Sequence, residues 1–104
     1  MRAGKYTLDA VTGEPLRCED IRAWADFIGR PDMRHLARDT KGAITVSTVF
    51  LGLDYGDGEG PPVLWETLIV NGPADRYVER YASRADALAG HARAVALAFN
   101  EAPR

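Results

Sequence analysis

The residues whose chemistry stands out in this chain are one carboxylate inside an apolar strand, two histidines and an acidic glycine-rich segment. Glu66 falls within the run 63–70, VLWETLIV, where burying a carboxylate without a partner costs several kcal/mol. Either of two arrangements answers that cost. Glu66 is the floor of a pocket, acting as hydrogen-bond acceptor or general base, or it is one half of an ion pair with Arg38, Arg76 or Arg80 from an adjoining strand. His35 and His91 are its candidate acid–base partners, because imidazole exchanges its proton near neutral pH. The catalytic candidates are therefore Glu66, His91 and His35. The histidines lie on different elements, so only the fold can bring one to the carboxylate, and His91 borders a helical apolar stripe where a structural histidine is the commoner occurrence.

A pairing of Leu53 with Trp65 places Glu66 opposite Gly52, near Asp54 and Thr48, and a glycine opposite a carboxylate leaves a notch. Thr48, Asp54, Trp65 and Glu66 are then the candidate ligand-binding set. The loop 54–60, DYGDGEG, holds three carboxylates, but a helix-flanked calcium loop wants ligands at positions 1, 3 and 5 and a bidentate Glu at 12, and strands flank this one. No metal and no cofactor are expected. Arg30, Arg34 and Arg38, with His35 among them, would cradle a phosphate if their stretch were helical and would be a solvated face otherwise. Tyr55, Trp65, Tyr77 and Tyr81 offer aromatic surface for a base or a protein interface. Cys18 reads as a structural thiol ahead of the first helix.

The elements that must position these groups follow from periodicity. Residues 5–9 (KYTLD), closed by Thr12, Gly13 and Pro15, read as an extended arm that acts as a lid. Ile21, Trp24, Ala25 and Ile28 fall at helical spacing behind Glu19 and Asp20, with Gly29 as the stop, giving a helix over 19–28. Residues 33–39 are read as a strand. The β-branched and aromatic runs 43–53 and 63–70 form a central hairpin, with Leu51, Val49, Thr67 and Ile69 on one face and Phe50, Thr48, Leu68 and Val70 on the other. Both faces are then oily and both need a cover, either two helices or a second subunit. Residues 76–82 read as an outer strand. Ser83 opens a capping box with Asp86, and Ala85, Leu88, Ala89, Ala92, Val95, Ala96 and Phe99 mark a helix over 84–100. The expected fold is α+β: an antiparallel three- to four-stranded meander with a long C-terminal helix and a shorter N-terminal helix.

Composition sets the outer limits. At 104 residues the chain has room for one domain, 1–104, with an arm over 1–17 and a compact core over 18–104. A hydrophobic fraction of 46% with 27% charged residues excludes disordered, collagen-like and coiled-coil classes. No apolar run approaches the ~18 residues of a membrane span, and the first residues lack a signal-peptide core; a cytoplasmic protein is expected. One cysteine forms no internal disulfide. The net charge is −2, and residues 41–80 carry three Lys/Arg against six Asp/Glu. An acidic middle offers no basic stripe, so duplex DNA is not an expected partner.

The run Val46-Ser47-Thr48-Val49-Phe50-Leu51-Gly52-Leu53-Asp54, then Gly60-Pro61-Pro62, Leu64-Trp65-Glu66-Thr67, Arg80-Tyr81 and Gly90-His91, resembles a family of small uncharacterised proteins encoded by tailed bacteriophages and prophages. The likeness covers roughly residues 5–95. It implies a phage origin and a place in the bacterial host cytoplasm. The leading expectation is a non-catalytic accessory protein that binds and sequesters a host protein or a small nucleotide signal, as counter-defence proteins do. The alternatives are a small acid–base hydrolase using Glu66 and a histidine, and a homo-oligomeric structural or regulatory module.

Overall fold

The computed structural model describes residues 4–99. Residues 1–3 of the expected arm and Asn100 of the expected last helix lie outside them. The order is β1 (Tyr6–Leu8), β2 (Pro15–Arg17), α1 (Ile21–Ile28), α2 (Pro31–Arg34), β3 (His35–Lys41), β4 (Ile44–Phe50), β5 (Trp65–Val70), β6 (Val78–Tyr81) and α3 (Arg84–Phe99). Strands β3 to β6 form one antiparallel sheet in sequence order, and β1 with β2 forms a separate hairpin. The fold is α+β, a four-stranded meander with a long C-terminal helix and a shorter N-terminal one, as expected. No helix among the described residues is long and apolar enough to cross a membrane.

The central hairpin pairs in a different register from the expected one. Phe50 lies opposite Trp65, Thr48 opposite Thr67 and Val46 opposite Ile69, three residues away from a Leu53–Trp65 pairing. The cause is Gly52, whose φ of 80° turns the chain out of the ladder just after β4. Its carbonyl accepts the Tyr6 amide at 2.8 Å and the Trp24 indole N–H at 2.9 Å, and Leu53 bridges to Lys5 instead of to β5. An odd offset exchanges the faces of one strand relative to the other. Val46, Phe50, Trp65 and Ile69 therefore share one buried face, while Thr45, Ser47, Val49, Glu66, Leu68 and Val70 share the opposite one. The sheet is oily on one side and mixed on the other, which corrects the two-sided expectation.

Helix α3 covers the oily face. Ser83 caps it, its hydroxyl accepting the Asp86 amide at 3.0 Å. Its buried residues are Ala87, Gly90, His91, Ala94 and Ala98, so the stripe expected through Leu88 and Ala92 is rotated. Small side chains let the helix axis sit close to the sheet, and Leu88 and Leu97 are left outside. Contact is tightest at Gly90, where a Cβ would run into the Tyr81 ring. Two clusters result: Phe50, Leu64, Trp65, Tyr81 and Ala87 toward the start of α3, and Val46, Ile69, Ala94 and Ala98 toward its end.

The N-terminal segment is part of the packing and not a lid. Tyr6, Leu8 and Phe27 pack on the Phe50 cluster, and Phe27 meets Phe50 edge-on with centroids 5.9 Å apart. Pro15 opens β2, where a stop was expected. In α1, Asp20 accepts the amides of Arg22 and Ala23 as N-cap, so the helix begins two residues later than expected, and Gly29 ends it. Pro31 starts the single turn α2, and the strand expected over 33–39 begins at His35 with an irregularity before Ala37. That irregularity and the exposed Arg38 and Lys41 blunt β3 as an edge strand.

Replacing a mid-helix glycine with alanine normally gains about 1 kcal/mol of helix stability. At Gly90 the sign reverses: Gly90→Ala costs about 1–3 kcal/mol by overpacking against Tyr81, read from the urea midpoint. A variant as stable as the parent would mean that α3 does not sit this close to the sheet.

Candidate functional site

A continuous polar chain runs beneath α3 through the apolar layer. The His91 ring bridges Asp39 on β3, from Nε2 to Oδ2 at 2.7 Å, and Thr48 on β4, from Nδ1 to Oγ1 at 2.7 Å. Thr48 Oγ1 lies 2.5 Å from Thr67 Oγ1 on β5. Beyond Thr67, on β6, the Tyr81 hydroxyl donates to Glu79 Oε1 at 3.1 Å. Strand parity explains the line-up: Asp39, Thr48, Thr67, Glu79 and Tyr81 all point to the α3 side in the observed register. Thr48 and Thr67 are fully buried and His91 nearly so, whereas about half of the Asp39 side chain is in solvent.

Glu79 is the centre of a separate, charged cluster. Tyr77 donates to Glu79 at 2.8 Å, and the Arg93 guanidinium of α3 lies 3.5 Å from the carboxylate. The Tyr77 hydrogen bond, with help from Tyr81 and Arg93, holds the Glu79 carboxyl below its ordinary value against a smaller opposing effect of burial. The same bond raises the Tyr77 phenol, and burial raises that of Tyr81.

Carboxylate, imidazole and hydroxyl in series have the order of a nucleophilic triad, with Thr48 in the nucleophile's place. Accessibility decides against that use. Thr48 is 0% exposed, so no substrate reaches its hydroxyl while α3 is docked. The arrangement ties a helix to a sheet.

Of the residues singled out by sequence, His91 and Thr48 are brought together, and the others do not converge on them. Thr48 and Trp65 are under α3. Glu66 is on the opposite face, beside Val49 rather than Gly52, where Arg80 Nε donates to its Oε2 at 3.0 Å; of the two arrangements open for Glu66, the ion pair is the one found. The notch at Gly52 is filled by the Ile28 side chain. Asp54 folds its own loop, accepting the amides of Gly56 at 2.7 Å and Val63 at 2.8 Å. His91 meets Asp39 and not Glu66. His35 shares the Glu66 face but two strands away, roughly 10 Å at the usual strand spacing. Arg30 pairs with Asp26, Arg34 donates to the Phe50 carbonyl and Arg38 belongs to β3, so the three arginines make no cradle. Tyr55 stacks near Arg80 at 5.0 Å, the Cys18 thiol donates to the Asp20 carbonyl at 3.4 Å, and among the described residues no three metal-ligating side chains gather. Asp39, Thr67 and Glu79 were not foreseen. Their signal is one hydroxyl in each inward row, Val46-x-Thr48-x-Phe50 and Trp65-x-Thr67-x-Ile69, facing one histidine in an alanine-rich helix.

Removing a link from the middle of the chain leaves its neighbours buried and unsatisfied, so Thr48→Val costs about 1–3 kcal/mol. Asp39→Asn keeps an acceptor and costs less; chemical denaturation ranks the two, and the opposite order would contradict the burial difference. The carboxyl of Glu79 is lowered from its ordinary 4.5, so its stabilisation is present above that pH and is lost as pH falls through the lower folded value. Tyr77 and Tyr81 are raised from 10.0; their contribution is whole below that pH and is lost as pH rises beyond it. Melting temperatures across pH are expected to show a shallower acid limb in Glu79→Gln than in the parent. The chain matches no protein-family model, no curated protein and no solved structure.

Proposed function

We propose that this is a non-catalytic binding protein and that its working surface is the sheet face opposite α3. One observation carries the reading: Leu68, Val70 and Val78 are 36%, 41% and 47% exposed and adjoin one another on that face, Leu68 directly opposite Val78. An apolar centre bordered by Glu66, Arg80 and Arg38 has the pattern of a protein interface, with a dry middle and a polar rim. A flat sheet suits a protein partner better than a small nucleotide, which needs a concave site that encloses most of its surface. The resemblance to phage-encoded proteins supports an accessory role in which the partner is a host protein that is bound and sequestered. The buried Thr48 and the separation of Glu66 from His91 argue against the hydrolase alternative.

A photo-cross-linking amino acid in place of Val70 is expected to give a discrete protein adduct in bacterial cells, lost in the additional presence of Leu68→Lys. The same group in place of Leu97, which is 52% exposed on the outer side of α3, is expected to give none. A second copy of the chain in the adduct would favour the homo-oligomeric alternative at this same face, whereas equal labelling at both positions would remove the reading. Saturable turnover of a nitrophenyl ester or phosphodiester that Asp39→Asn abolishes would make the protein an enzyme instead.

A further inference from the structure

We propose that the sheet face opposite α3 takes an acidic amphipathic helix, one whose apolar stripe is bordered by Asp or Glu on both flanks. This rests on the reading of that face as the working surface and adds the chemistry of the partner. The observation behind it is how charge is divided between the two sides of the sheet. Each edge strand carries an arginine next to a carboxylate, Arg38-Asp39 on β3 and Glu79-Arg80 on β6. Strand alternation sends both carboxylates under α3, where His91 and Arg93 engage them, and both arginines to the open face. Arg38 stands opposite Ser47, and Arg80 opposite Glu66.

Glu66 is the one carboxylate on the open face of β3 to β6, and Arg80 Nε already holds it. Arg38 is exposed and pairs with no carboxylate among the described residues. A chain with 15 Asp/Glu against 13 Lys/Arg thus presents one face on which two arginines meet a single carboxylate. Its charge is complementary to an acidic partner, and its exposed Leu68, Val70 and Val78 ask for an apolar one.

Dimensions select a helix. Arg38 and Arg80 lie on strands three spacings apart, about 14 Å, and a helix with its side chains is about 10–12 Å across. Laid over β4 and β5 on Val49, Leu68 and Val70, such a helix has an arginine along each flank, where acidic residues bordering its apolar stripe would stand. A second sheet would spread past both edges and bury the two guanidiniums. A second copy of this chain is a poor occupant on charge. Its own open face would set arginine against arginine, and its α3, which exposes Leu88 and Leu97, has Asp86 as its one carboxylate. With α3 already on the other side of the sheet, an acidic helix here completes a helix–sheet–helix sandwich.

The test uses the full chain and three labelled synthetic peptides, with binding read by fluorescence anisotropy. One is a helix-forming peptide with a leucine stripe flanked by glutamate. The second has lysine in place of every glutamate, and the third is the first with its order scrambled so that no stripe remains. At low ionic strength the glutamate peptide is expected to bind saturably and about tenfold tighter than either of the others, a preference that shrinks as salt is raised. Arg38→Glu, at an exposed edge position, is expected to weaken the glutamate peptide about fivefold and to strengthen the lysine peptide. Equal binding of the glutamate and lysine peptides, equal binding of the scrambled one, indifference to Arg38→Glu or no saturable binding overturns the proposal. The Val70 cross-link separates this failure from failure of the underlying reading. A discrete adduct in cells with no preference among the peptides, or an adduct with a second copy of the chain, keeps the face and rejects the acidic helix. The absence of any adduct rejects the face itself.

Discussion

A histidine on the buried side of an alanine-rich helix can be kept only if the sheet beneath it offers a partner to each ring nitrogen. His91 imposes that demand, and much of the structure is arranged to meet it. Asp39 must be on the α3 side of β3, Thr48 on the same side of β4, and Thr48 must itself be satisfied by Thr67 from β5. A polar group in an apolar layer carries a penalty of a few kcal/mol when unpaired. That penalty is comparable to a sizeable share of a small domain's stability. The small residues along the same helix face allow the approach that makes these bonds short, and Gly90 beside the Tyr81 ring is the point where the distance is set.

The same side-chain alternation that collects the polar chain under α3 also empties the other face of its largest apolar groups. Phe50, Trp65, Val46 and Ile69 go inward with the threonines, and the outer face keeps one ion pair, Arg80 with Glu66, among medium-sized aliphatics. Glu66 is therefore solved locally, by the arginine directly opposite it on β6. At 20% exposure of its side chain it is neither a deeply buried acid nor a solvated one, and its partner removes the need for any pocket. Chemistry-bearing residues are thus divided between two faces of one sheet.

Much of the architecture was legible in the sequence. The meander, the N-terminal helix with its Gly29 stop and the capped C-terminal helix follow from periodicity and end signals. The site was less legible because it depends on register, and register depends on an interaction that is remote in sequence. Gly52 leaves the β4 ladder because its carbonyl is taken by Tyr6 and Trp24, which lie 46 and 28 positions earlier. Without that knowledge a hairpin continuing to Leu53 is the natural reading of an uninterrupted apolar run. The three-residue error then moves Glu66 beside Gly52 and separates Thr48 from Thr67. The phase of α3 differs from expectation for a related reason: periodicity marks Leu88 and Ala92 as inward, but close packing against Tyr81 selects the side that carries Gly90, Ala87, Ala94 and Ala98.

The competing register shows what the polar chain contributes. Pairing Leu53 with Trp65 is chemically reasonable, since it also matches apolar residues to apolar residues along both strands, and hydrophobic burial alone discriminates weakly between it and the native pairing. In that alternative Thr48 stands opposite Val70, and Thr48 and Thr67 point to different faces. His91 then has no hydroxyl chain to enter, and whichever face α3 covers has a buried hydroxyl or imidazole without its partner. The native register satisfies all of them at once. Buried polar groups are weak evidence for added stability, but fixing one register among near-equivalents is the role for which they are best attested. On this view the Asp39–His91–Thr48–Thr67 line resembles a catalytic relay because both need donors and acceptors held in strict order. Here that order selects the pairing of β4 with β5 and the docking of α3, and its burial keeps the selection independent of any substrate.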